Sequence, residues 1–299
     1  SELKEKNVSV IFSALPDSIA NEVEQPLAER GFCVISHALI HRLKRDVPLV
    51  IPDINSDHLK ILESQSFGTG SLISCSNCMV VPIALTLYPL MVEYDFSSVN
   101  IVTEQSLSGG GRKMLERGRS GLTIDSSIPG ESESIISELN RILGIKNEGI
   151  FQEANLDVKV WCSRSSHDFG HLATVEIIFS NNISAHEIIE AWQNFSSDTF
   201  DSRLPSSSKI INFVDGKLDP IKHRWGDSIA NLPDKNLSAG MSVYVGEIEV
   251  TGKKLKFKLL SDNTIRGAAG YGVLLAELLL AEEIIQDNYL TNTSFNRSN

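Results

Sequence analysis

Over its first ninety residues the chain alternates short β-rich runs with helical stretches, and that alternation constrains the fold more than any other feature. Val8-Ser-Val-Ile-Phe12 is a β-rich run closed by Ser13-Ala-Leu-Pro16. Residues 17–30 follow as a helix stopped by Gly31, with Pro26 weakening its middle. Residues 32–36 and 49–52 read as the next two strands, and residues 56–63 as a helix capped by Ser56. A further strand at 71–74 leads into Cys75-Ser-Asn-Cys78, and an apolar helix then runs to about Leu90. Strands separated by helices build a parallel sheet, because parallel neighbours need a crossover between them. The first part therefore reads as a piece of a doubly wound α/β domain. It lacks the glycine-rich turn that holds a pyrophosphate: no such turn precedes Val8, and Gly31 lies at the wrong end of its helix. The chain opens at Ser1 without Met and reads as the inside of something longer.

Beyond residue 90 the pattern changes. Residues 99–103 predict a strand, Ser108-Gly-Gly-Gly111 a tight turn, and a polar loop runs through Pro129-Gly130 to a helix over 131–143. Strands follow at 157–163, 172–179, 241–250 and 254–260, with a helix at 185–195 among them. Residues 197–235, rich in Ser, Asp and Pro, form a long excursion that covers the site or another subunit. A final amphipathic helix spans 268–286, and 287–299 reads as a frayed tail.

Charge narrows the partners. Against 27 Lys+Arg stand 38 Asp+Glu, a net −11 with no basic run, which argues against nucleic acid. The most apolar stretch, residues 272–280, is interrupted by Glu277 and is too short to span a membrane. Four cysteines and no signal peptide make a disulfide framework unexpected and a reducing cytoplasm the default.

Two segments carry chemistry. Cys78 lies between a strand and a helix start, where backbone N–H groups and the helix dipole lower a thiol pKa and offer donors to an oxyanion. Pro82 suits the first helical turn. A free cysteine is more often a small buried hydrophobe, and the Cys75–Cys78 spacing also fits a redox dithiol, or half of a zinc site with Cys162 and His171. In the second segment, Trp161-Cys-Ser-Arg-Ser-Ser-His-Asp-Phe-Gly-His171, a histidine after Gly170 at a strand start can project into a cleft as a general base. A solvated surface loop explains the same residues as well, and it is the reading for His167.

Ser13-Ala-Leu-Pro16, Ser36-His-Ala-Leu-Ile-His-Arg42, Asp46 to Asn55, Asn77-Cys78, Gln105-Ser-Leu-Ser-Gly109, Arg164 to His171, Gly240-Met241 and Asn263 to Gly270 occur in that order. Together they resemble the archaeal and fungal branch of the aspartate-semialdehyde dehydrogenases, from about Val8 to Ala281. The resemblance implies Cys78 as nucleophile, His171 as acid/base and Gln105 beside them. It implies Arg164 as a clamp on the substrate carboxylate, Glu138 as a substrate-binding glutamate, and Arg42 and Arg141 as phosphate-binding cations. Ser13, Ser108, Gly109 and Asn263 fall where the family touches NADP; no metal is implied. The implied fold is a partial Rossmann-like NADP-binding domain over 1–77 and an α+β catalytic and dimerisation domain with a mixed sheet over 78–260. A segment over 261–299 follows, whose helix returns to the first domain. The implied reaction is NADP-dependent reduction of L-aspartyl 4-phosphate to the semialdehyde in amino-acid biosynthesis, by a homodimer or homotetramer. Malonyl-CoA reductase is the near alternative, and a dimerising homologue unable to hold NADP the distant one. Departures from the family pattern are Cys75-Ser76 before Asn77-Cys78, His37 at an Asn-like position and the missing glycine-rich turn.

Overall fold

The computed structural model describes residues 8–147, 150–198, 201–207, 209–225 and 240–285. Three parallel strands, β1 (Val10–Ser13), β2 (Cys33–Ser36) and β3 (Ser71–Ser74), form the first sheet in the order β1-β2-β3. Helix α1 (Asp17–Glu29) crosses from β1 to β2, and Gly31 ends it with φ +89°, a conformation that favours glycine. Two local expectations fail. Residues 49–52 form no strand; Leu49 makes a single parallel bridge to Ser74 before the chain turns into a short helix at Pro52–Asn55. A proline at the first helical position favours that turn. Ser56 caps nothing: the next turn, Ser56–Ser64, is a 3₁₀ segment preceded by Asn55.

Helix α2 (Val80–Glu93) leaves the first sheet and leads to a six-stranded mixed sheet. Its strands are β4 (Phe96–Gln105), β5 (Val158–Arg164), β6 (His171–Phe179), β7 (Ile211–Phe213), β8 (Val243–Thr251) and β9 (Lys254–Ser261), in the order β5-β4-β6-β9-β8-β7. Strand β4 runs parallel to β5 and antiparallel to β6. Val99, Ile101, Val158, Val160, Val175, Ile177, Leu255 and Phe257 alternate onto one face and are buried there. Helices α2, α3 (Glu131–Ile142) and α4 (Ala185–Asp198) cover that face. Trp192 of α4 is fully buried edge-on to Phe257, ring centroids 4.9 Å apart, and its indole N–H donates to the Thr86 carbonyl. On the opposite face Leu172, Tyr244 and Leu260 are buried against Leu218, while the part along β4 and β5 stays open, with Val102 and Trp161 side by side in register and exposed.

Part of the expected excursion is strand β7, which completes the sheet edge beside β8, and a short helix follows at Pro220–His223; residues 199, 200, 208 and 226–235 of it and the tail at 287–299 lie outside the described residues. The last helix, α5 (Gly270–Ala281), is preceded by a wide π-type turn at Ile265–Ala269. It packs back on the first sheet's connections: the Tyr271 hydroxyl donates to the Val50 carbonyl, and Gly272 lies against Phe12 and His37. Among the described residues no helix is long and apolar enough to cross a membrane.

Candidate active site

The site gathers where the two sheets meet. Cys78 lies on the turn between β3 and α2. The Asn77 side chain starts that helix, its Oδ1 accepting from the Met79 N–H at 2.7 Å while its backbone carbonyl takes the Val81 N–H. Three neighbouring strands of the mixed sheet deliver the rest. Gln105 and Arg164 are paired at the carboxyl ends of the parallel strands β4 and β5. Antiparallel β6 starts at the same end, so its first residue, His171, arrives beside them. Gly170 turns the chain into β6 with φ +86°.

Cys78 Sγ lies 3.2 Å from His171 Nε2. On the far side of the ring, Nδ1 meets both the backbone N–H and the hydroxyl of Ser106 at 3.0 Å. Two glycines make this approach possible. A Cβ on Gly267 would stand 2.6 Å from the Cys78 Cβ, and one on Gly109 2.8 Å from the His171 ring and 3.0 Å from Arg164. The cleft has a volume of about 470 Å³, and Arg42, Cys78, Gln105, Glu131 and Arg164 line it together with Ser108, Gly109 and Asn263.

The electrostatics correct one expectation. The Cys78 thiol is pushed up, not down, to about 12: burial dominates, and the Glu131 and Glu138 carboxylates outweigh what Arg42 and Arg164 return. Burial, helped by Arg164, pushes His171 down to about 3. Burial thus favours the thiol and the neutral imidazole over the charged pair.

The family model for the NAD binding domain of semialdehyde dehydrogenases matches residues 1–62. Over 290 residues the chain is 34% identical to an aspartate-semialdehyde dehydrogenase of Archaeoglobus fulgidus, spanning 94% of this chain and 80% of that relative. The chain belongs to the aspartate-semialdehyde dehydrogenase family. A malonyl CoA reductase (NADP) of Metallosphaera sedula is 31% identical over 295 residues, 93% of this chain and 78% of its own, so membership leaves the substrate open. The crystal structure of aspartate semialdehyde dehydrogenase with NADP from Candida albicans has the same fold, with a TM-score of 0.75 at 27% identity over 93% of this chain and 79% of that one.

Of the residues that the family resemblance singles out, Cys78, His171, Gln105, Arg164, Arg42, Ser108, Gly109 and Asn263 come together. Three do not line the cleft. Ser13 ends β1 buried, with its hydroxyl against Glu24. Glu138 lies fully buried beneath the floor. It accepts from Arg42 Nη1 at 2.9 Å, the Ser76 hydroxyl at 2.7 Å and the Asn77 N–H at 2.8 Å, so it braces the turn that carries Cys78. Arg141 is buried too, its Nη2 spent on the carbonyls of Lys44 and Val47 at 2.6 and 2.9 Å.

Glu131 is the residue that sequence reading missed. It opens α3 at the cleft, and its Oε1 accepts from Asn77 Nδ2 at 3.0 Å and Gln105 Nε2 at 2.8 Å. The available signal was Pro129-Gly130 immediately before an acidic first turn, which places a carboxylate at a helix start. Cys75 points into the core, fully buried, and all four cysteines are unpaired. Among the described residues no three His, Cys, Asp or Glu side chains cluster as metal ligands.

Proposed function

We propose that this chain catalyses the NADP-dependent reduction of L-aspartyl 4-phosphate to L-aspartate 4-semialdehyde through an acyl thioester on Cys78. The observation that carries the reading is the 3.2 Å contact between Cys78 Sγ and His171 Nε2 in a cleft lined by Arg42, Arg164 and Glu131. A thiol and imidazole at that distance suit attack on an acyl phosphate. As the C–S bond forms, the C–O bond to phosphate breaks, and the thiol proton passes through His171 to the departing phosphate.

The other side chains match the ends of such a substrate. Arg164 gives one N–H to the Ser106 carbonyl and pairs with no carboxylate among the described residues, which leaves its fork for the substrate carboxylate. Glu131, held by two amides, offers its charge to an ammonium. Arg42, fixed by Glu138 and the His37 carbonyl, offers a cation to the phosphate. Ser108, Gly109 and Asn263, which line the same cleft, would hold NADP; when bound it supplies the hydride that reduces the thioester.

Glu131 favours this substrate over malonyl-CoA, which has no ammonium to meet it. The test compares the two as substrates of this chain, the first in reverse from the semialdehyde, phosphate and NADP. A higher kcat/KM with the semialdehyde supports the reading; a preference for malonyl-CoA, or no turnover of either, defeats it. We assign the open part of the mixed sheet along β4 and β5, with Val102 and Trp161, to a homodimer in the cytoplasm; sedimentation that gives a monomer would contradict the assembly.

A further inference from the structure

Ser106 lies against the far side of His171, and neither the motifs nor the family resemblance gives it a role. Its backbone N–H donates to His171 Nδ1 at 3.0 Å. An N–H can only donate, so Nδ1 is the acceptor and the neutral ring carries its proton on Nε2, facing Cys78. In that form the imidazole donates to sulfur and cannot take the thiol's proton. The base-competent form, with the proton on Nδ1, needs an acceptor beside Nδ1.

One group within reach can reverse its role. The Ser106 hydroxyl lies 3.0 Å from Nδ1, and a hydroxyl both donates and accepts. Its own proton then goes to Asn263 Oδ1, 3.1 Å away, an oxygen also held by the Gly170 N–H at 3.0 Å. Ser106 and His171 are fully buried and Asn263 nearly so, which keeps bulk water from competing.

We propose that Ser106 is the positioning residue that decides which nitrogen of His171 carries the proton. Its N–H holds the resting form, and its hydroxyl, backed by Asn263, admits the form that accepts the proton of Cys78. When the thiol attacks, the S–H bond breaks and its electron pair forms the C–S bond. The proton goes to Nε2, while Nδ1–H stays bonded to Ser106 Oγ. The inference rests on Cys78 being the nucleophile and not on the substrate it attacks.

The test is the pH profile of Cys78 alkylation by iodoacetamide on the whole chain, followed peptide by peptide by mass spectrometry. It needs no substrate or cofactor, so it can fail while the reductase reading stands. The charged groups facing the pair are Glu131 and Glu138 from α3, Arg42 from the segment after β2, and Arg164 from β5, and none is altered. Ser106→Ala is expected to slow alkylation about tenfold or more near neutral pH. It should match the wild type at the alkaline end, where the thiolate forms unaided, and Ser106→Thr should restore most of the loss. Nitrogen NMR of labelled histidine should find the resting His171 protonated on Nε2. A Ser106→Ala profile overlaying the wild type, or a resting proton on Nδ1, overturns the proposal. Should Ser106→Ala melt early, Asn263→Ala removes the hydroxyl's acceptor instead; it should show the same neutral-pH loss, and an unchanged profile overturns the proposal equally.

Discussion

Arg42 and Glu138 form an ion pair under the cleft floor, Nη1 to Oε1 at 2.9 Å, with the carboxylate fully buried. The same carboxylate holds Ser76 and the Asn77 N–H, so it fixes both a cation that lines the cleft and the turn that carries Cys78. Removing one partner of a buried pair leaves the other charge stranded. Glu138→Ala should therefore lower stability by about 3–5 kcal/mol in urea denaturation. A loss below about 1 kcal/mol would return Glu138 to the role of a solvated ligand group.

Glu131 acts on the thiol through its charge. Its carboxylate helps to hold the Cys78 thiol up, so Glu131→Gln should shift the alkylation profile of Cys78 to lower pH. If Glu131 also grips the substrate ammonium, KM for the semialdehyde rises in the same variant. A profile that stays in place would mean that the charge is screened from sulfur.

Arg164 and Arg141 should part company. Arg164→Ala removes the proposed carboxylate clamp and is expected to cost about 2–4 kcal/mol in kcat/KM, chiefly through KM, with little change in melting temperature. Arg141→Ala uncaps the Lys44 and Val47 carbonyls, so it should lower the melting temperature first. Steady-state kinetics and thermal melts on both variants check the pair; reversed effects would reverse the two roles.

The same helix shows what the sequence disclosed and what it hid. Glu131, Glu138 and Arg141 lie on α3, and Glu138 falls about two turns beyond Glu131 on the same stripe. The family resemblance named Glu138 and Arg141 but not their depth. Only the first turn opens on the cleft; Glu138 is under the floor, and Arg141 lies about 15 Å along the axis from Glu131 at 1.5 Å per residue. Local pattern marked Cys78, at a strand–helix junction, and His171, at a strand start, whereas Gln105 and Arg164 came only from the family resemblance. The pairing of β4 with β5 and β6, which brings them together, is long-range and leaves no local trace. The raised thiol was hidden for the same reason: a helix start suggests a lowered pKa, but burial by segments distant in sequence wins.

Acid should destabilise the fold through its buried histidines. Burial keeps His37, His58 and His171 below the usual histidine range, His171 at about 3. Below about pH 6.5 the unfolded chain binds protons that the folded chain refuses. Stability is thus fully present above that pH and falls as pH drops toward the folded values, by at most about 1.4 kcal/mol per pH unit for each group. Urea denaturation at stepped pH should show this decline, made shallower by His171→Asn; a flat profile would mean that the histidines protonate within the fold.

The most direct measurement is a covalent one. The chain is incubated with aspartate semialdehyde and NADP without phosphate, and peptides are mapped for an acyl adduct. The adduct is expected on Cys78, absent in Cys78→Ala and kept in Cys75→Ala, because Cys75 faces the core with its thiol pushed up to about 12 by burial. NADPH formation on adding phosphate should follow the same pattern. An adduct on another residue, or equal loss in both variants, would contradict Cys78 as the nucleophile.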